Sequence, residues 1–316
     1  MQELRRISIF GPFLAYQHGR STVLLQRAYL YSSFRDTYNL PPVRIFIFIL
    51  ALLASSITLQ AQQGWETGAA LGVGHYFGDL NTDLSLTDPG VAFGALARYN
   101  FSNRWSTRLF LGYTKVSAYD NDSRNIYEQA RNLHFRSNVI DGSLGLEFNF
   151  LQYDHGSRDH FFTPYVFGSF MVSQFAPQAE LDDVWVDLRD FGTEGQFTGD
   201  EYYTTTLGLS YGLGVKLDLN YEWSINFEVN ARQLFSDYLD DVSTVYPDME
   251  DLGDLRGDDA VRLSDRSILI QGVNDAQIGE EGRFRGNSSD NDQYAAITFA
   301  IVYYFGDLKC PEYGSR

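Results

Sequence analysis

From Ile140 to Phe150 the chain alternates: Ile140, Leu144, Leu146, Phe148 and Phe150 share one face, and Asp141, Ser143, Glu147 and Asn149 share the other. A period of two is the signature of a strand. The same rhythm runs from Leu207 to Asn220, where Leu207, Leu209, Leu213, Val215 and Leu217 oppose Gly208, Ser210, Gly214, Lys216 and Asp218. It recurs over Ser224–Arg232 and again over Ile297–Phe305. Four further segments follow it less cleanly: Trp65–Phe77, Val91–Phe101, Trp105–Val116 and Phe162–Phe175. That makes eight predicted strands, most of them long enough to cross a bilayer at a tilt, for which about 9–11 residues suffice.

Small and charged residues make up one face of these strands; bulky aliphatic and aromatic residues make up the other. In a soluble β-sandwich the bulky face would point to the core. In a membrane barrel it points to lipid, and the small polar face lines the interior. The aromatics favour the barrel. Trp65, Tyr99, Phe101, Trp105, Phe150, Tyr153, Phe161, Phe162, Tyr203, Tyr221, Trp223, Phe235 and Phe305 gather at strand ends, as two interfacial girdles would require. The links add an independent signal. Those at 102–104, 151–161 and 220–223 are short, and those at 78–90, 117–137, 176–202 and 236–293 are long, in strict alternation. The predicted fold is therefore all-β: an eight-stranded antiparallel transmembrane β-barrel with short periplasmic turns and long outer loops.

Ahead of the strands lies one apolar run, Ile45–Leu53, preceded by Arg44 and followed by Leu59-Gln60-Ala61. A charged, an apolar and a small-residue segment in that order read as a secretory signal, with cleavage predicted after Ala61. Residues 1–43 fit no signal pattern, and initiation at Val43 would leave a compact one. The expected organisation is thus an N-terminal extension plus signal peptide over 1–61 and a barrel with a short tail over 62–316. The chain carries a net charge of −17, and the first 61 residues contribute Arg5, Arg6, Arg20, Arg27, Arg35 and Arg44 against only Glu3 and Asp36. Such acidity argues against nucleic-acid binding, which needs a basic surface for phosphates. The single cysteine, Cys310, rules out a disulfide scaffold and any multi-thiolate metal site.

An eight-stranded barrel has an interior just wide enough for side chains to fill it. The alternation turns Arg98, Arg108, Lys216 and Arg232 inward together with Asp141, Glu147, Asp218 and Glu228, and buried charges must pair. A lumen charge network of these eight residues is expected. The chemistry of an enzyme is harder to find. No serine stands in a G-x-S-x-G context, and Asp159-His160 reads as a solvated pair in a turn. Asp79, Asn81 and Asp83 have the spacing of a calcium loop but lack its glycine and closing glutamate. The acidic residues Asp240, Asp241, Asp248, Glu250, Asp251, Asp254, Asp258 and Asp259 read as a solvated outer surface. No cofactor is expected.

Several words of the sequence, in order, bear a likeness to a known family. They include Tyr76-Phe77-Gly78-Asp79-Leu80-Asn81, Arg98-Tyr99-Asn100-Phe101, Leu146-Glu147-Phe148-Asn149-Phe150, Phe162-Thr163-Pro164-Tyr165-Val166-Phe167-Gly168, Leu188-Arg189-Asp190-Phe191-Gly192-Thr193-Glu194-Gly195-Gln196, Asp237-Tyr238-Leu239-Asp240-Asp241 and Arg285-Gly286-Asn287. Taken together over about residues 64–310, the chain resembles the PorG family of the type IX secretion system. The resemblance implies a non-enzymatic outer-membrane barrel that ties the periplasmic ring of the secretion machine to the membrane, with outer-membrane lipid and the ring proteins as partners. It brings no catalytic residues. Long loops outside the cell leave the turns and the tail for a ring contact, and Lys309, Cys310, Glu312 and Tyr313 are the candidate contact residues. A ligand-binding or adhesin barrel that works through its outer loops is the alternative.

Overall fold

The computed structural model describes residues 64–83 and 85–306. The predicted signal peptide with its cleavage site and the tail residues lie outside the described residues. Among the described residues ten strands form in chain order: β1 (Gly64–Phe77), β2 (Gly90–Asn100), β3 (Trp105–Tyr119), β4 (His134–Asn149), β5 (Phe162–Gln174), β6 (Pro177–Leu181), β7 (Val184–Asp187), β8 (Thr205–Asp218), β9 (Trp223–Leu234) and β10 (Gln293–Tyr304). Every pairing is antiparallel. β1 pairs with β2 and β10, the ladder continues through β9, β8, β5 and β4, and β3 closes it against both β2 and β4. Eight strands thus make a closed barrel, which has no unpaired edge to leave in lipid. Among the described residues no helix is long and apolar enough to cross a membrane.

The wall is apolar outside and polar inside, as the alternation requires. Leu71, Phe93, Leu111, Leu144, Phe170, Leu213 and Phe299 are exposed on the outer wall. Their chain neighbours Ala70, Ala92, Ser143, Ser169 and Thr298 are buried. A bilayer rewards this inversion, because an exposed aliphatic side chain meets acyl chains rather than water. The aromatics divide less evenly than expected. Trp65, Phe101, Trp105, Phe150, Phe161, Phe162, Trp223 and Phe305 form an exposed collar at the end of the barrel that carries the short turns. Within it Trp65 lies 5.1 Å from Tyr99, Trp105 4.8 Å from Phe148 and Trp223 5.0 Å from Tyr303, centroid to centroid. At the loop end only Tyr203 and Phe235 of the thirteen predicted residues are exposed, and Tyr153 is buried.

The long links are more ordered than the sequence reading allowed. β3 and β4 run past the predicted strand ends and pair as far as Tyr119 and His134. The β3–β4 link contains helix α1 (Ile126–Arg131), capped by Asn125, whose side chain accepts from the Tyr127 N–H. Within the β5–β8 link, β6 and β7 make a hairpin around Asp182 and Asp183, both at positive φ. That conformation matches a two-residue turn to strand twist. The hairpin joins the barrel through β4 at Arg136–Gln178 and Ser137–Pro177. The β9–β10 link folds into α2 (Met249–Arg256) and α3 (Asp258–Ser264). These segments pack over the loop end of the barrel. Val116, Phe135, Val139, Phe175, Leu188, Leu234, Leu239, Val242, Leu263 and Tyr294 share one apolar core there.

An arginine on the outer wall would have to desolvate in lipid. Leu209→Arg, near the middle of β8, should lower unfolding stability in lipid vesicles by about 2–4 kcal/mol. Denaturant titration checks this, and an unchanged midpoint would contradict the assignment of that face to lipid.

Candidate functional site

Alternation places the charges. Arg98 is flanked by outward Ala97 and Tyr99, and Glu147 by outward Leu146 and Phe148. The structure brings all eight predicted lumen residues to the inner wall. Glu147 is the hub. Its carboxylate takes Arg98 Nη2 at 2.9 Å, Arg108 Nη1 at 3.6 Å and the Lys216 ammonium. Arg98 also reaches Glu66 at 2.5 Å. Arg108 forks onto Glu228 at 2.8 and 3.3 Å, and Glu228 accepts from Tyr165 Oη at 2.9 Å and Asn230 Nδ2 at 3.0 Å. Further along, Arg232 Nε lies 3.6 Å from Asp141, which also accepts from Tyr294 Oη at 3.2 Å. Aromatic faces take up the remaining cationic surface: the Arg108 guanidinium sits 3.7 Å from the Phe167 ring centroid.

Glu66 and His155 belong to this network and were missed in the sequence. Glu66 was legible, since it faces inward between Trp65 and Thr67. His155 was not, because it comes from the β4–β5 turn, where no period applies. It folds back into the barrel and bridges Glu66 and Asp218, each at 3.0 Å. Its ring stacks on Tyr304 at 4.2 Å, and Tyr153 packs edge-on at 4.9 Å. Tyr153 donates to Asp218. Asp218 therefore serves this turn rather than an arginine or lysine. Burial disfavours charge on His155, but hydrogen bonds to Asp218 and Glu66 outweigh it and raise the imidazole to about 9. Protonated His155 then joins Arg98, Arg108, Lys216 and Arg232 in balancing Glu66, Asp141, Glu147, Asp218 and Glu228. The centre is closed to solvent: Glu66, Arg98 and Lys216 are each 0% exposed.

At the loop end the acidic residues divide. Glu250, Asp251, Asp254, Asp258 and Asp259 are solvated on α2 and α3, and Asp248 caps α2. Asp240 and Asp241 are buried, which corrects the reading of both as surface. Asp241 accepts from Thr193 Oγ1 at 2.5 Å and Tyr202 Oη at 2.7 Å, and Arg285 lies 3.5 Å away. Arg285 also meets Glu194 at 3.2 Å, and Arg131 meets Asp120 at 2.7 Å. Arg285 thereby ties the β9–β10 link to the β5–β8 link, whereas the Arg131–Asp120 pair lies within the β3–β4 link and Arg131 reaches the other links through the carbonyls of Arg285 at 2.7 Å and Asp79 at 2.9 Å. The calcium-like triplet does not converge: Asp79 accepts from the Asn287 N–H, Asn81 from the Ser85 N–H and Asp83 from the Arg124 N–H. Among the described residues no group of three or more His, Cys, Asp or Glu side chains is placed to hold a metal. His160 lies 3.5 Å from Asp154, not against Asp159. Lys309, Cys310, Glu312 and Tyr313 are outside the described residues.

Glu147→Leu would leave Arg98, Arg108 and Lys216 short of one buried anion. The barrel should lose about 3–5 kcal/mol, read as the unfolding midpoint in vesicles; an unmoved midpoint would contradict the hub. The His155 latch has a defined pH sense. The raised imidazole contributes stability that is complete below the unfolded value of 6.5 and disappears as pH rises through about 9. His155→Phe should flatten that alkaline loss, and a wild-type profile flat from pH 6.5 to 9 would contradict the latch.

Among solved structures the chain is similar to neisserial surface protein A, at 11% identity over 78% of this chain and all of that one, with a TM-score of 0.36. It is similar to the outer membrane protein OprG from Pseudomonas aeruginosa, at 11% identity over 78% of this chain and 99% of that one, with a TM-score of 0.35. A major outer membrane protein from Thermus thermophilus gives 13% identity, 77% and 99% coverage, and a TM-score of 0.36. No curated protein matches the chain significantly. A family model described as "Domain of unknown function (DUF6089)" matches residues 43–263, most of the chain, and the chain belongs to that family.

Proposed function

We propose that this outer-membrane barrel is a non-enzymatic structural component of a type IX protein secretion machine and links the machine's periplasmic ring to the outer membrane. The observation that carries the reading is the closed lumen. A barrel whose interior is filled by paired charges, capped by an apolar loop core and latched by a turn at the other end offers no route for a solute. Its work is then done by contact. The ordered words shared with the PorG family point that contact toward secretion. With the loops outside the cell, the ring would meet the turns at 101–104, 150–161 and 219–222 and the tail after Phe305, where Lys309, Cys310, Glu312 and Tyr313 lie. The second reading, a ligand-binding or adhesin barrel, draws support from the folded loops, since a rigid loop surface suits recognition.

Deleting the gene and measuring secreted proteins separates the two: secretion should fail in the deletion strain, and unaltered secretion would overturn the first reading. Truncation after Phe305 should leave the barrel inserted and heat-modifiable on gels while ring proteins no longer co-purify. Normal co-purification would remove the tail from the contact.

A further inference from the structure

The longest link, between β9 and β10, is fastened to the barrel rim at its beginning and end by one unusual contact. Tyr76, near the loop end of β1, places its hydroxyl 2.6 Å from Asp240 Oδ2 and 2.8 Å from Asp292 Oδ1. Asp240 belongs to the start of the link and Asp292 to its last residue. All three side chains are buried. A phenol carries one hydrogen and can donate to only one carboxylate. The second contact, at hydrogen-bond distance, needs a hydrogen on the acid itself. The remaining oxygens are committed elsewhere: Asp240 Oδ1 accepts from the Val242 N–H and Asp292 Oδ2 from the Leu239 N–H, both at 2.9 Å. Gly78 leaves the space for this packing, since a Cβ there would run into Tyr76 Oη and Asp292 Oδ1.

The surroundings supply no compensating cation. Asp79 from the β1–β2 link acts on both acids, and Asp237 from the same link as Asp240 acts on Asp292; Asp237 is itself raised to about 8, chiefly by burial, with Glu194 of the β5–β8 link beside it. Arg131 in α1 is spent on Asp120, and Arg285 on Glu194 and Asp241. Among the described residues, neither Asp240 nor Asp292 has an ion pair, and both are buried. Two bare carboxylates in that position would repel across a single phenol.

We propose that the contact is a proton clasp: one proton, shared by Asp240 and Asp292 across Tyr76, holds both ends of the β9–β10 link on the barrel rim, and its loss releases that link. Burial, with the neighbouring carboxylates, holds both acids well above the usual aspartate range, the direction that keeps the shared proton bound. A raised acid gives the closed form a stability that is complete below the ordinary aspartate value of 3.8 and is lost as pH rises from there through its raised value. The clasp makes the loop surface responsive to alkaline conditions without opening the barrel below it.

The test is amide hydrogen exchange of the full-length barrel in vesicles, read at residues 234–244 from about pH 6 to about pH 10 after correction for intrinsic rates. Wild-type protection should fall by roughly tenfold or more on the alkaline side while β2 and β8 stay protected. In Asp292→Asn the amide oxygen keeps the Leu239 N–H and its NH₂ donates to Tyr76, as the protonated acid would. That variant, and Asp240→Asn by the same geometry, should stay protected across the range. Tyr76→Phe, which removes the bridge, should lose protection already at neutral pH. Wild-type protection that does not change with pH would overturn the clasp. So would early loss of protection in both asparagine variants, which would mean that charged carboxylates are required. Loss of wild-type protection on adding a chelator at neutral pH would show that a cation, not a proton, holds the two acids.

Discussion

A carboxylate shared by three cations organises this molecule. Glu147 holds Arg98, Arg108 and Lys216 together, and through Glu66 and Glu228 the network reaches β1, β2, β3, β4, β8 and β9. Tyr165 ties in β5 through Glu228, and Tyr304 ties in β10 through His155. Removing one member would leave its partners buried without compensation, at several kcal/mol each. The network thus ties strands that face each other across the lumen, such as β3 with β9 and β8 with β4, as well as neighbours such as β1 with β2. Its charge balance depends on a histidine from outside the strands, so the turn that carries it is held at the barrel mouth by the same electrostatics that fill the lumen.

The barrel is an inverted protein below and an ordinary one above. Within the wall, apolar side chains face lipid and charges face inward. At the loop end the order reverts: Phe135, Phe175, Leu234 and Leu239 are buried in a core beneath the loops, and α2 and α3 turn their acidic faces outward. The two regimes meet at the rim, where Tyr76 and Tyr294 are at once strand residues and members of the apolar core. A loop surface resting on such a core is shaped, and it can be recognised or can recognise. A lumen closed beneath it assigns that work to the surface and not to the interior.

The barrel was legible because a strand in a bilayer must alternate, as Leu209 does against Ser210 and Leu146 against Glu147, and because eight such segments with strand-end aromatics and alternating long and short links favour a barrel over the β-sandwich that alternation alone would allow. The lumen charges followed from the same parity. What escaped lay where parity does not operate. His155 enters the lumen from a turn. The β6–β7 hairpin hides in a link whose strands are only five and four residues long. Asp240 and Asp241 look like members of an acidic run, and only tertiary contacts with Tyr76, Tyr202 and Arg285 separate them from their solvated neighbours. The aromatic collar was half legible: strand-end tryptophans mark the turn end, whereas Tyr153 shares their position in sequence and points the other way.

A filled and doubly capped lumen has one direct electrical consequence. Purified barrel reconstituted into a planar bilayer at high salt should insert, as shown by protease protection in matched vesicles, and pass no steady current above the bare membrane. A reproducible, ohmic single-channel conductance from the inserted wild-type protein would contradict the account, because ions cannot cross an interior in which Glu66, Arg98, Glu147 and Lys216 already occupy the path.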